Sequence, residues 1–182
     1  MRKIIKKIIS RIQLWLNPPI SDIEILRKHG VKVGENVHVY GHDFDLRYGK
    51  LLEIGSNVSI SHSTILMHDA GPSKYVEGDY GTKLKKVVIG DNVFIGYGCL
   101  VLPGTKINDN VIIGAGTVVR GEIPSDSVIC GNPWQRVCSA TEYIERNRKC
   151  LESAAKYDGD DFAEVAKLLD DGKDVFIKKR EL

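Results

Sequence analysis

The 182-residue chain has little net charge: 26 Lys and Arg against 24 Asp and Glu leave +2 at pH 7. So even a balance offers no bulk electrostatic case for nucleic acid. Its four cysteines, Cys99, Cys130, Cys138 and Cys150, form no C-x-x-C pair. That argues against a disulfide scaffold or a zinc knuckle. No apolar run is long enough to cross a bilayer, and no signal-peptide cleavage pattern is visible. The cytoplasm is therefore the expected location. The length allows one domain of moderate size with terminal appendages.

What is present is a period of six between Ile89 and Pro124. Ile89, Ile95, Val101, Ile107, Ile113 and Val119 open successive units, all apolar and β-branched. The fourth places are Asn92, Gly98, Gly104, Asn110, Gly116 and Glu122. Five of these are Gly or Asn, the types that enter the left-handed region cheaply. The fifth places, Val93, Cys99, Thr105, Val111, Thr117 and Ile123, are mostly compact or β-branched. Six suits neither a helix nor an ordinary hairpin. A β-sandwich would repeat its strands every 8–12 residues. It suits a short strand, a tight turn and another short strand. Three units close a triangular coil of roughly 18 residues, and coils stack as a parallel β-helix. Cys99 falls in an inward column and reads as a small hydrophobe.

Ile89-Gly90-Asp91-Asn92-Val93-Phe94-Ile95-Gly96, Ile113-Gly114-Ala115-Gly116 and Gly131-Asn132-Pro133 resemble the hexapeptide-repeat acyltransferases. The similarity runs from about Lys28 to Val137, and within the family it points to polysaccharide and sugar O-acetyltransferases. It implies a mainly β fold, a left-handed parallel β-helix. That handedness comes from the resemblance, against the usual right-handed crossover.

Three segments are expected. Residues 1–30 are helical, 31–137 form the β-helix with a loop at 69–86, and 138–182 form a helical extension. Met1 to Leu16 alternates apolar residues with Arg2, Lys3, Lys6, Lys7 and Arg11. This pattern predicts a basic amphipathic helix, suited to peripheral membrane contact or to packing on the solenoid or a neighbouring subunit. Ser21 and Glu24 spell a capping box for a second short helix ended by Gly30, which would cover an open end of the solenoid. Val33 and Ile54 begin two further coils, and Tyr40 to Leu51 between them is expected to bulge or loop. Asp69 to Lys86 is a polar interruption about one coil long, and such loops are often functional. Helices are expected from Thr141 and over Asp161 to Leu169.

Among the five histidines, His68 stands out. It ends a strand pattern directly before the long loop, where a scaffold can hold a general base beside a substrate. His62 and His38 read as outward-facing, and His29 suits a helix C-terminus. Zinc chemistry is not expected: His62 and His68 are six apart, which puts them on adjacent faces, so no stacked ligand set forms. The resemblance implies acetyl-CoA as acyl donor, with no metal.

The family resemblance implies more. His68 would be the catalytic base, with Asp69 as a candidate to orient it. Tyr97, Gly114 and Ala115 would meet acetyl-CoA in a groove between solenoids of a homotrimer, with Gly131 and Pro133 near the adenine end. Many members follow Gly-Asn-Pro with a small residue and Lys, whereas this chain has Trp134-Gln135-Arg136. Arg120 and Arg136 are the substitutes expected at the 3′-phosphate. His42 and Asp43 are the candidates for the acceptor, since sugar sites use carboxylates toward hydroxyls. The function expected is acetyl transfer to a sugar hydroxyl of a surface polysaccharide or its lipid-linked precursor, at the inner membrane surface if the N-terminal helix binds lipid. The alternatives are a serine or nucleotide-sugar acetyltransferase, and a non-catalytic scaffold subunit.

Overall fold

The computed structural model describes residues 21–75, 77, 78, 81–159 and 162–178, apart from the side chain of His42. The amphipathic segment expected at 1–16 lies outside the described residues. The chain begins with helix α1 (Asp22–Lys28). Ser21 Oγ accepts from the Glu24 N–H, while the Glu24 carboxylate accepts from the Ser21 N–H. The expected capping box is therefore formed, and Gly30 leaves the helix at a φ of 85°. Leu26 on α1 is fully buried against the first coil.

Four coils follow, with three parallel ladders along their length. The first ladder holds Lys32–Val33, Leu52–Ile54, Val87–Ile89, Lys106–Ile107 and Glu122–Ile123. The second holds the start of Val37–Phe44, the start of Val58–Ile65, then Val93–Ile95, Val111–Ile113 and Ser127–Gly131. The third holds the ends of the two long strands, then Leu100–Val101 and Val118–Val119. Partners across the coils are 21, 35, 18 and 16 residues apart. The regular coil is thus 18 residues, and the first two carry insertions of three and 17 beyond it.

The first and fifth hexad columns point inward. Ile89, Val93, Ile95, Val101, Val111, Ile113, Val119 and Ile123 are all at most 2% exposed. Each such side chain contributes about 1.5–3 kcal/mol on burial. The inward polar residues Ser63, Thr105 and Thr117 satisfy themselves on backbone carbonyls. Cys99 is buried and points its thiol at the Gly114 carbonyl; burial pushes that thiol upward in pKa.

The corners explain the Asn and Gly column. At the first corner Asn36, Asn57, Asn92, Asn110 and Asp126 hold φ between 52° and 58°. Their side chains form a ladder in which Asn36 donates to Asn57 at 2.8 Å and Asn57 to Asn92 at 3.2 Å. Gly96 is required for a different reason: a Cβ there would lie 2.7 Å from the Ala115 nitrogen of the next coil.

Two expectations change. Tyr40 to Leu51 does not bulge throughout, because the strand runs on to Phe44 and pairs in register with Ile65. The three extra residues are absorbed in a 3-10 turn, Leu46–Leu51. The C-terminal extension is not purely helical. Just before it, at the end of the solenoid, Ser127–Gly131 turns back antiparallel onto Trp134–Cys138. Helices α2 (Ala140–Ser153) and α3 (Phe162–Asp170) follow. Around α3, Ala155–Tyr157 and Val175–Ile177 pair in parallel. Strand pairing there rests on short triplets whose partners are 20 residues apart, a distance local periodicity does not report.

Candidate active site

The third corner is where the two insertions meet. Asp45 to Leu51 arrives from the first coil and Leu66 to Lys86 from the second. Leu102 to Thr105 and Arg120-Gly121 form the same corner in the coils below. His68 leaves the fully buried Met67, after Leu66 has donated to the Val101 carbonyl at 3.0 Å. His68–Asp69 then pairs antiparallel with Lys83–Leu84. This two-residue neck closes the long loop at its base, so the loop leaves the solenoid without disturbing the stack.

His68 is held from two sides. Its Nδ1 bonds to the carboxylate of Asp45, a group one-eighth exposed at the side chain. The Tyr48 ring lies against the imidazole, with centroids 5.4 Å apart. Arg47 sits over the outer face of Tyr48, 5.6 Å from its centroid. Asp45 is itself pinned, since its N–H donates to the Ile65 carbonyl at 3.0 Å and its own carbonyl accepts from Tyr48 N–H. A carboxylate can only accept, so Nδ1 is the donor to Asp45, and in the neutral imidazole Nε2 is then the acceptor nitrogen. That nitrogen has no hydrogen-bond partner among the described residues.

The carboxylate facing His68 is therefore Asp45, not Asp69. Asp69 is exposed and its Oδ1 accepts from the Gly71 N–H at 2.9 Å. Neighbouring residues of a strand point to opposite faces, so the residue next to His68 is badly placed to orient it. The sequence signal for Asp45 lay in the coil register. Counting back 21 residues from Leu66, the first residue past Ile65, lands on Asp45.

A cleft of about 540 Å³ opens beside the imidazole. Its lining includes His68, Asp69, Lys83, Lys85, Pro103 and Arg120. The other expected site residues fall elsewhere. Tyr97, Gly114 and Ala115 lie at the second corner, where the Gly116 N–H donates to the Tyr97 carbonyl at 2.8 Å. Tyr97 is 65% exposed and rests on His62, with ring centroids 5.3 Å apart. Gly131 joins this group through its N–H, which donates to Thr117 Oγ1; Pro133 follows in a cis peptide. Arg136 is committed to Ser127 Oγ and the Asp126 carbonyl near the first corner. Asp43 faces out from the third ladder and accepts from Thr64 Oγ1 at 3.4 Å. His42 lies one residue before it, opposite Ser63. The second and third corners are separated by three strand residues, 42–44, or about 10 Å. No group of three or more metal-ligating side chains occurs among the described residues.

The relatives of the chain give the class of protein to which this solenoid belongs, a transferase. Residues 86–121 match the family described as bacterial transferase hexapeptide (six repeats). A galactoside O-acetyltransferase of Lactococcus lactis is 30% identical over 177 residues, covering 82% of this chain and 81% of that protein. WbbJ of Escherichia coli, named as a lipopolysaccharide biosynthesis O-acetyl transferase, is 36% identical over 107 residues. That match covers 57% of this chain, which spans only 54% of WbbJ. Among solved structures, a galactoside acetyltransferase in complex with coenzyme A superposes with a TM-score of 0.52 at 21% identity. It covers 75% of this chain and 80% of that one, and shows the shared fold. The chain belongs to the hexapeptide-repeat acyltransferase family.

Proposed function

We propose that the protein is an O-acetyltransferase that moves an acetyl group from acetyl-CoA to a sugar hydroxyl, with His68 as general base. The observation that carries this reading is the Asp45–His68 pair at the mouth of the cleft. With Nδ1–H engaged by Asp45, His68 Nε2 is free to take the hydroxyl proton. The sugar oxygen bonds to the thioester carbonyl carbon as the carbon–sulfur bond breaks. The proton passes from Nε2 to the departing thiolate, leaving the acetyl ester and free CoA. Transfer is direct, so no Ser or Cys nucleophile is needed.

The donor residues support an assembly of more than one copy. Tyr97, Gly114 and Ala115 lie at the second corner, while His68 lies at the third. Tyr40, Phe94 and Tyr97 expose apolar rings along the second ladder and its corner. In a homotrimer the second corner of one copy would face the third corner of the next, completing a donor groove. The named relatives that act on galactosides and in lipopolysaccharide biosynthesis favour a saccharide acceptor. A surface polysaccharide or its lipid-linked precursor fits that class, with Asp43 and His42 beside the groove.

The test joins binding to turnover. Acetyl-CoA at 100 times its Kd should stabilise the native state by about 2.7 kcal/mol, visible as a higher Tm. Acetyl transfer to a saccharide panel should then fall by about 10²–10⁴ in His68→Ala. No thermal shift at millimolar acetyl-CoA would sink the reading and leave a scaffold solenoid. Unchanged kcat in His68→Ala would remove the base assignment.

A further inference from the structure

The cations of this solenoid divide into two groups. Along the first ladder they are paired with acids. Lys32 and Lys86 both meet Glu53, and Lys106 meets Glu122 at 2.8 Å. Those partners hold both carboxyls below the usual carboxylate range, Lys86 foremost for Glu53 and Lys106 for Glu122. The cations lining the cleft beside His68 are different. Lys83, Lys85 and Arg120 all reach it, and none forms an ion pair among the described residues. The contrast is sharp between neighbours: Lys86 is neutralised by Glu53, and Lys85 one residue earlier is not.

Their placement is built in by the fold. Lys83 is fixed in the neck opposite Asp69, and the Lys85 N–H donates to the Met67 carbonyl at 2.9 Å. The Lys85 stem lies across Gly104, where a Cβ would meet its Cδ at 2.7 Å. Arg120 is held by its carbonyl, which accepts from Trp134 Nε1 at 2.9 Å. Among the described residues Asp69 is the only carboxylate lining the cleft, and it is turned to the Gly71 N–H. Three like charges around one concavity focus a positive field on whatever enters it.

We infer that the acceptor is an acidic saccharide, whose carboxylate or phosphate is held by Lys83 and Lys85 while its hydroxyl faces His68, with Arg120 left to the donor phosphate. This rests on the proposed acetyl transfer and narrows its substrate class. Anionic groups also occur on the donor, so the test must separate the two sources.

Equilibrium binding of three matched ligands to the full chain comes first: a methyl hexopyranoside, its uronic acid and its 6-phosphate. At low salt at least one acidic form should bind about tenfold or more tighter than the neutral sugar. That preference should shrink as ionic strength rises, and the ratio should fall toward one in Lys83→Gln/Lys85→Gln. Both lysines are exposed, so the variant should melt with the wild type. The kcat/KM ratio of acidic to neutral acceptor should follow the binding ratio, with acetyl-CoA and with S-acetylpantetheine, which lacks phosphate. Equal binding of all three sugars would overturn the inference while leaving acetyl transfer intact. So would a double variant that raises KM for acetyl-CoA alone, because the cleft would then serve the donor phosphates. Selective binding of an acidic sugar without transfer to any of the three would uphold the anion site and refute the proposed reaction on them.

Discussion

Replacing Asp45 by Asn isolates the contact on which the proposed chemistry depends. The change keeps the shape of the side chain and removes its charge. The bond to His68 Nδ1 is charge-assisted, and such bonds contribute about 1.5–3 kcal/mol. At about 1.36 kcal/mol per decade, losing it from the transition state alone lowers kcat roughly 10- to 150-fold. If the Asn amide turns its NH₂ toward Nδ1, the proton moves to Nε2 and the loss is larger, approaching that of His68→Ala. The assay is release of the CoA thiol in the presence of saccharide acceptor, with His68→Ala as the blank. Two controls sharpen it. Asp69→Ala should stay within a few-fold of wild type, since Asp69 serves Gly71. Asp45→Asn in the His68→Ala background should cost nothing more, because residues that act as a unit are not additive. A folded Asp45→Asn protein with wild-type kcat, or a loss that adds fully to that of His68→Ala, would refute the reasoning.

Gly96→Ala should lower stability by about 1–3 kcal/mol, read as a lower Tm, because its Cβ would strike the backbone of the next coil. Asp126 is held below the usual carboxylate range chiefly by the Thr141 N–H, then by the Thr141 hydroxyl. Its contribution to docking α2 is therefore complete above the unfolded value of about 3.9 and is lost as pH falls through the lower folded value. The stability gap between wild type and Asp126→Ala should be constant at neutral pH and should close only in strong acid, as followed by denaturant titration. Cys130 is exposed while Cys99 is buried with its thiol pushed upward. Iodoacetamide should label Cys130 first, with Cys99 protected until unfolding, as located by peptide mass analysis.

Much of this architecture is local and repetitive, and so was legible in the chain itself. Inward packing needs an apolar residue at each return of the strand, and each corner needs a residue that tolerates positive φ. Both requirements recur every six residues from Ile89 onward, so they write themselves into the sequence. The Ser21–Glu24 capping box is equally local. His68 was conspicuous because a long polar interruption begins immediately after it. What the tertiary structure decided is everything that depends on stacking one coil on another. The partner of His68 is Asp45, 23 residues earlier, brought alongside because a three-residue insertion enlarges the first coil at that corner. Lys86 and Lys85 are neighbours of identical type, and only the position of Glu53 on the ladder makes one neutralised and the other free. Tyr97 and Ala115 share a corner away from the histidine because each coil turns through three faces, and a residue's face follows from its place in the coil. Insertions shift that count, so the period alone determined the solenoid, and the stacking of unequal coils determined the site.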